Sequence, residues 1–119
     1  MLENSRQNIY NYDTRAAVLN CATSIEVVLK KRISDFLSKS STSPVKDYVL
    51  KQADSYSKQV EMCKKFGIPL NGVSNAKKFV FDVRNRVAHG GYIPSFEEAN
   101  KAYKSTRSAL IELAVPMFE

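Results

Sequence analysis

With 119 residues, 44% of them hydrophobic and 25% charged, the chain suits one globular domain and excludes disorder over its whole length. Four glycines and four prolines are too few for a turn-rich β-sandwich, and two cysteines can close at most one disulfide. A formal charge of +6 favours polyanionic partners, from which lysine and arginine displace counterions.

The elements read as helices throughout. Asp13 or Thr14 caps the first, in which Val18, Ala22, Ile25, Leu29, Ile33 and Phe36 recur at three- or four-residue steps. The Ser/Thr-rich stretch from Ser38 to Ser43 predicts a loop. Ser43–Pro44 predicts the next start, because proline fits the first helical position. A more peripheral helix is expected over 45–65 on Tyr48, Val49, Tyr56, Val60 and Cys63, ending at a break that holds Gly67 and Pro69. Ser74 caps a third helix to His89 with Ala76, Phe79, Val80, Val83 and Val87 as its core stripe, stopped by Gly90–Gly91. Ser95 and Glu98 have capping-box spacing for a fourth, with Ala99, Ala102, Tyr103, Leu110 and Leu113 inward and Pro116 at its end.

No strand alternation, repeat or boundary interrupts this pattern. The expectation is one all-α domain over 1–119, with its core at about 13–115, folded as an antiparallel bundle of four helices and up to five. Cys21 and Cys63 sit in apolar helical context, where a cysteine acts as a small buried hydrophobe. One histidine and no CxxC pair leave too few ligands for structural zinc, and no metal or cofactor is implied. Residues 1–12 lack the apolar stretch of a signal peptide, and no apolar run approaches the ~20 residues of a membrane span. A cytoplasmic protein without a membrane partner is expected.

Chemistry concentrates in one segment, Asp82-Val83-Arg84-Asn85-Arg86-Val87-Ala88-His89-Gly90-Gly91-Tyr92. On a regular helix Asn85 and His89 share a face, while Arg84 lies about 140° from His89 with Phe81 and Ala88 between them. A second apolar strip bordered by ionisable groups predicts a dimer surface where two such helices pool Arg and His. His89 falls in the last turn, where the partial negative end of the helix stabilises imidazolium. Histidine suits proton transfer near neutrality, arginine can grip a phosphate through paired N–H donors, and Asn85 can orient the imidazole or bind a phosphate oxygen. The blander account is a C-terminal capping histidine beside a solvated arginine.

The run Arg84-Asn85-Arg86-Val87-Ala88-His89 resembles the R-x4–6-H motif of the HEPN superfamily in its RN-x-x-x-H form. With Gly90-Gly91 it is similar to the bacterial "RNxxAHG" branches. The first helix agrees, since Ala22-Thr23-Ser24-Ile25-Glu26-Val27-Val28-Leu29-Lys30 resembles the HEPN helix carrying an acidic residue and a following lysine, and the likeness spans roughly Thr14 to Leu113. It implies a homodimer whose two motifs form one composite active site, and a metal-independent endoribonuclease of toxin–antitoxin or anti-phage systems. Substrate would be single-stranded or looped RNA, cut through the ribose 2′-OH, with an antitoxin or other neutralising partner. By motif matching, Arg84 and His89 are the catalytic pair and Asn85 supports them, with Arg86, Lys78 and Tyr92 as candidate RNA contacts. Glu26 can pair with Arg84, although the i,i+4 spacing to Lys30 favours a surface pair there. HEPN toxins governed by nucleotidyltransferase antitoxins carry Tyr two residues after the histidine. Gly91 stands there and Tyr92 comes third, which argues against control by tyrosine adenylylation. The alternatives are a non-catalytic HEPN module that binds RNA or nucleotide or dimerises, and a plain helical interaction protein.

Overall fold

The computed structural model describes residues 13–70 and 74–113, together with Asn4 and Arg6. From residue 13 on it holds five helices: α1 (Thr14–Ser40), α2 (Ser43–Gln52), α3 (Tyr56–Phe66), α4 (residues 74–90) and α5 (Phe96–Leu113). The fold is a helical bundle, and no strand occurs among the described residues.

Asp13 opens α1 by accepting the Ala16 N–H at 3.2 Å, which satisfies a first-turn donor. Thr14, the other candidate cap, instead donates to the Pro94 carbonyl at 2.7 Å and ties this end to the segment before α5. The predicted stripe holds, with Val18, Ala22, Ile25, Leu29 and Ile33 all buried alongside Ala17, Cys21 and Leu37. Phe36 is partly buried and stacks on Phe66 with ring centroids 5.2 Å apart. Helix α1 packs against every other helix, most extensively α5, so it is the axis of the bundle. Cys21 and Cys63 are both buried and form no disulfide, and burial pushes the Cys63 thiol up to about 11, leaving it protonated at neutral pH.

Two connections differ from expectation. The loop placed at Ser38–Ser43 shrinks to two residues, because Ser38 and Ser40 donate back to the carbonyls of Ser34 and Phe36 and continue the helix. The single helix expected over 45–65 is two helices. Its break falls at Ala53–Ser55, where Ser55 turns extended and caps the Lys58 N–H at 3.4 Å. Helix α2 buries none of its residues, whereas α3 buries Tyr56, Gln59 and Cys63. Gly67, in the left-handed region at φ 71°, ends α3.

Helix α4 is interrupted. Between Ser74–Ala76 and Asp82–Gly90 lies a π-helical turn, Lys77–Phe81, in which the Asp82 N–H bonds to the Lys77 carbonyl five residues back. Ala76, Val80, Val83 and Val87 of the expected stripe are all buried. The expectation departs at one residue: Phe79 is only partly buried, and Phe81, outside the stripe, is 3% exposed. Phe81 stacks on Tyr56 with centroids 3.7 Å apart, so the Phe81 part of the apolar strip expected as a dimer surface is covered by α3 of the same chain, while Ala88 stays exposed. Gly91 closes α4 in the left-handed region at φ 64°, and the Tyr92 N–H reaches the Arg86 carbonyl at 3.3 Å.

The capping box of α5 forms as expected, with Glu98 N–H donating to Ser95 Oγ at 3.0 Å and Ser95 N–H to Glu98 Oε1 at 3.1 Å. Ala99, Ala102 and Leu113 are buried, and Tyr103 and Leu110 pack partly against the core. The Ser74 side chain, assigned a cap, and Pro116, assigned the end of α5, lie outside the described residues. Among the described residues no helix is long and apolar enough to cross a membrane.

Candidate active site

Arg84 projects from the second half of α4 toward α1. Its Nη1 lies 3.3 Å from Glu26 Oε1, its Nε donates to Asn85 Oδ1 at 3.2 Å, and its Cζ sits 5.5 Å from the centre of the Phe81 ring. The Arg84 and Glu26 side chains are 28% and 24% exposed, so solvent screens this pair less than the surface pairs along the other helices. The expected Glu26–Lys30 pair gives way to Glu26–Arg84. A guanidinium is more weakly hydrated than an ammonium and spreads its donors over a rigid plane, which suits a partly buried carboxylate. Lys30 instead contributes to the field that lowers the Asp54 carboxyl, after the larger effect of Lys58. Held by a carboxylate, an amide and a ring, the guanidinium keeps further N–H donors for a phosphate oxygen.

Asn85 is exposed and accepts from Arg84 rather than orienting His89. It also lines two open grooves, one between α4 and α5 and one between α3 and α4. His89 is exposed in the last turn of α4, and neither groove includes it among its lining residues. Within one chain the fold thus gathers Glu26, Arg84 and Asn85 and leaves the imidazole open to solvent.

The three candidate RNA contacts are linked through Arg86, which touches Tyr92 and shares a groove with Lys78. Arg86 pairs with Glu98 Oε2 at 3.2 Å and lies over the Tyr92 ring, 4.7 Å from its centre. The Tyr92 hydroxyl donates to Glu98 Oε1. Glu98 is therefore the hub of a latch between the end of α4 and the start of α5. The Tyr92 hydroxyl, then the Ser95 N–H and the Arg86 charge hold its carboxyl below the ordinary range. The same contact, by stabilising the protonated phenol, pushes Tyr92 up. Lys78 sits on the π turn, 5.4 Å from the Phe79 ring centre, and with Arg86 lines the α4–α5 groove of about 570 Å³.

Spacing pointed to Arg84, Asn85 and His89 but missed three features. Glu98 was read only as a cap, although its carboxylate also binds Arg86 and Tyr92. The π turn carried no signal, and neither did the Tyr56–Phe81 stack, which joins two different helices. Among the described residues no three His, Cys, Asp or Glu side chains gather as metal ligands. Family models, curated proteins and solved structures gave no match to this chain.

Proposed function

We propose that the chain is a HEPN-type endoribonuclease that cuts single-stranded or looped RNA without a metal ion. The observation that carries this reading is the Arg84–Glu26 contact. It fixes the motif arginine from a second helix, five residues before a solvent-open histidine at the end of α4. An arginine held this way is preorganised to offset charge on a phosphorane-like transition state.

In the reaction, a ribose 2′-OH gives its proton to a His89 imidazole as its oxygen attacks the adjacent phosphorus. The bond to the 5′-oxygen breaks, and that oxygen takes up a proton. The products are a 2′,3′-cyclic phosphate and a 5′-hydroxyl. One imidazole accepts and another donates, which is the use of a homodimer that pools two motifs. With Phe81 covered, the exposed apolar side chains shortly after His89 in the chain are Ile93 and Phe96, 68% and 54% exposed, and we assign the dimer contact to them. A toxin of this kind, working in the cytoplasm, would need a neutralising partner.

A second reading rests on the same contact. Glu26 already balances the Arg84 charge and nothing gathers His89 to it, as a non-catalytic RNA-binding or dimerising module would also have it. An RNA cleavage assay with EDTA, comparing the wild type with His89→Ala, separates the two. Cleavage by the wild type alone, leaving cyclic phosphate ends, is the expected result. Equal cleavage by both removes His89 from the mechanism, and no cleavage across varied RNAs leaves the binding module.

A further inference from the structure

The groove between α3 and α4, about 640 Å³, lies directly behind the motif. Its floor is apolar, made by Val60 and Leu70 with the edges of Tyr56 and Phe81. Phe81 is the ring over which the Arg84 guanidinium sits, and Asn85 stands on the rim, so the groove is continuous with the candidate site. Two lysines complete the rim: Lys64 in the last turn of α3 and Lys77 at the start of the π turn. Both are exposed, and neither forms an ion pair among the described residues. On the α4–α5 side Lys101 pairs with Glu97 at 3.4 Å and Glu98 occupies Arg86. That leaves Lys78, beside the Phe79 ring, as the lysine of that groove outside an ion pair among the described residues.

The π turn has a role here. Its five-residue hydrogen bond stacks Lys77 and Asp82 on one side of the helix, and both line the groove. Rare wide turns of this kind persist where a side chain must be re-aimed, commonly at functional sites. Asp82 repels phosphate and offers a hydrogen-bond acceptor, whereas Lys64 and Lys77 attract it.

We propose that this groove is a subsite for single-stranded RNA beside the bond to be cut. One nucleobase lies against Val60 and Leu70, with Asp82 and Asn85 at its polar edge, and Lys64 and Lys77 hold the flanking phosphates. Only an unpaired strand can lay a base on such a floor. The inference rests on the ribonuclease reading for its purpose, yet its test is binding and does not need cleavage.

A short single-stranded RNA is titrated, over a range of salt concentrations, onto the full chain carrying His89→Ala. Adding Lys64→Ala and Lys77→Ala together is expected to weaken binding and to make the slope of log K against log salt shallower by about 1.4, roughly 0.7 per phosphate released. Lys101→Ala with Lys104→Ala, the matched change on the α4–α5 side, is expected to leave the slope nearly unchanged. Equal or larger losses from the Lys101 and Lys104 pair would overturn the subsite, as would a duplex binding as well as the single strand, or no RNA binding at all. RNA binding that depends on Lys64 and Lys77, with no cleavage by the wild type, would keep the subsite and remove the ribonuclease reading.

Discussion

Helices α1 and α4 carry similar apolar patterns in the sequence and both bury them, but α4 also buries a ring off its stripe, Phe81. The inward residues of α1 repeat at three and four from Val18 to Ile33, and all of them are buried. Helix α4 buries Ala76, Val80, Val83 and Val87 at the same steps, and its π turn at Lys77–Phe81 adds Phe81. The difference follows from surroundings. Helix α1 is clasped by every other helix and buries one broad stripe, whereas α4 buries its stripe from Ala76 to Val87 and gives Phe81 to Tyr56 of α3 as well. The irregular helix is also the one that carries the motif.

The sharpest way to break this comparison is to remove the buried rings and chains that define it. Leu29→Ala in α1 is expected to cost about 2–5 kcal/mol and Phe81→Ala in α4 about 3–5 kcal/mol, measured by denaturant unfolding. On a straight α4 with Phe81 facing outward, the second change would stay within about 0.5 kcal/mol. A small loss at Phe81 would therefore restore the regular helix and the dimer strip with it.

The same contrast explains what could be read from the sequence. The α1 stripe, the Asp13 cap, the Ser95–Glu98 box and the Gly91 stop are local rules of spacing and capping, and each is found in place. The break between α2 and α3 was legible in principle, because Ser55 is a good cap, but the apolar residues on either side of it hid the signal. Burial of Phe81 was not legible. It depends on Tyr56, in a helix whose crossing over α4 no local pattern encodes. Glu26 shows the limit in the candidate site: helical spacing favoured Lys30 four residues on, and a guanidinium brought from 58 residues away occupies the carboxylate instead. Local geometry ranks neighbours along one helix, and tertiary packing supplies competitors that it does not contain.

The Glu26–Arg84 contact gives a prediction of intermediate size. Glu26→Gln keeps the side-chain shape and removes the charge, so stability should change by no more than about 1 kcal/mol for this partly exposed pair. In the ribonuclease reading Glu26 is a positioning residue, and kcat should fall about tenfold, equivalent to ~1.4 kcal/mol. KM should not rise, because the freed guanidinium still attracts phosphate. Unchanged kcat with unchanged KM would make the contact purely structural, and Arg84→Ala would then serve as the comparison for full loss.

The smallest effect belongs to the Glu98 latch, where the two ends of α4 and α5 meet outside the core. Glu98→Gln can still cap Ser95, since glutamine serves in a capping box, so the lost stability at neutral pH should be under about 1 kcal/mol. Its pH dependence is the diagnostic part. The carboxyl is held below its ordinary value of 4.5, so its contribution is present above that value and is lost as pH falls through the depressed folded one. Tyr92 is raised above its ordinary value of 10.0, so the contribution from its hydrogen bond is present below that value and is lost as pH rises through the raised folded one. The wild type should therefore exceed Glu98→Gln by a constant margin between about 4.5 and 10.0, with the margin shrinking at both ends, as read from unfolding midpoints across pH. A margin that is flat through acid pH would mean that the Glu98 charge stabilises neither the latch nor the cap. Arg86 and Tyr92 would then be free of the latch and available to RNA.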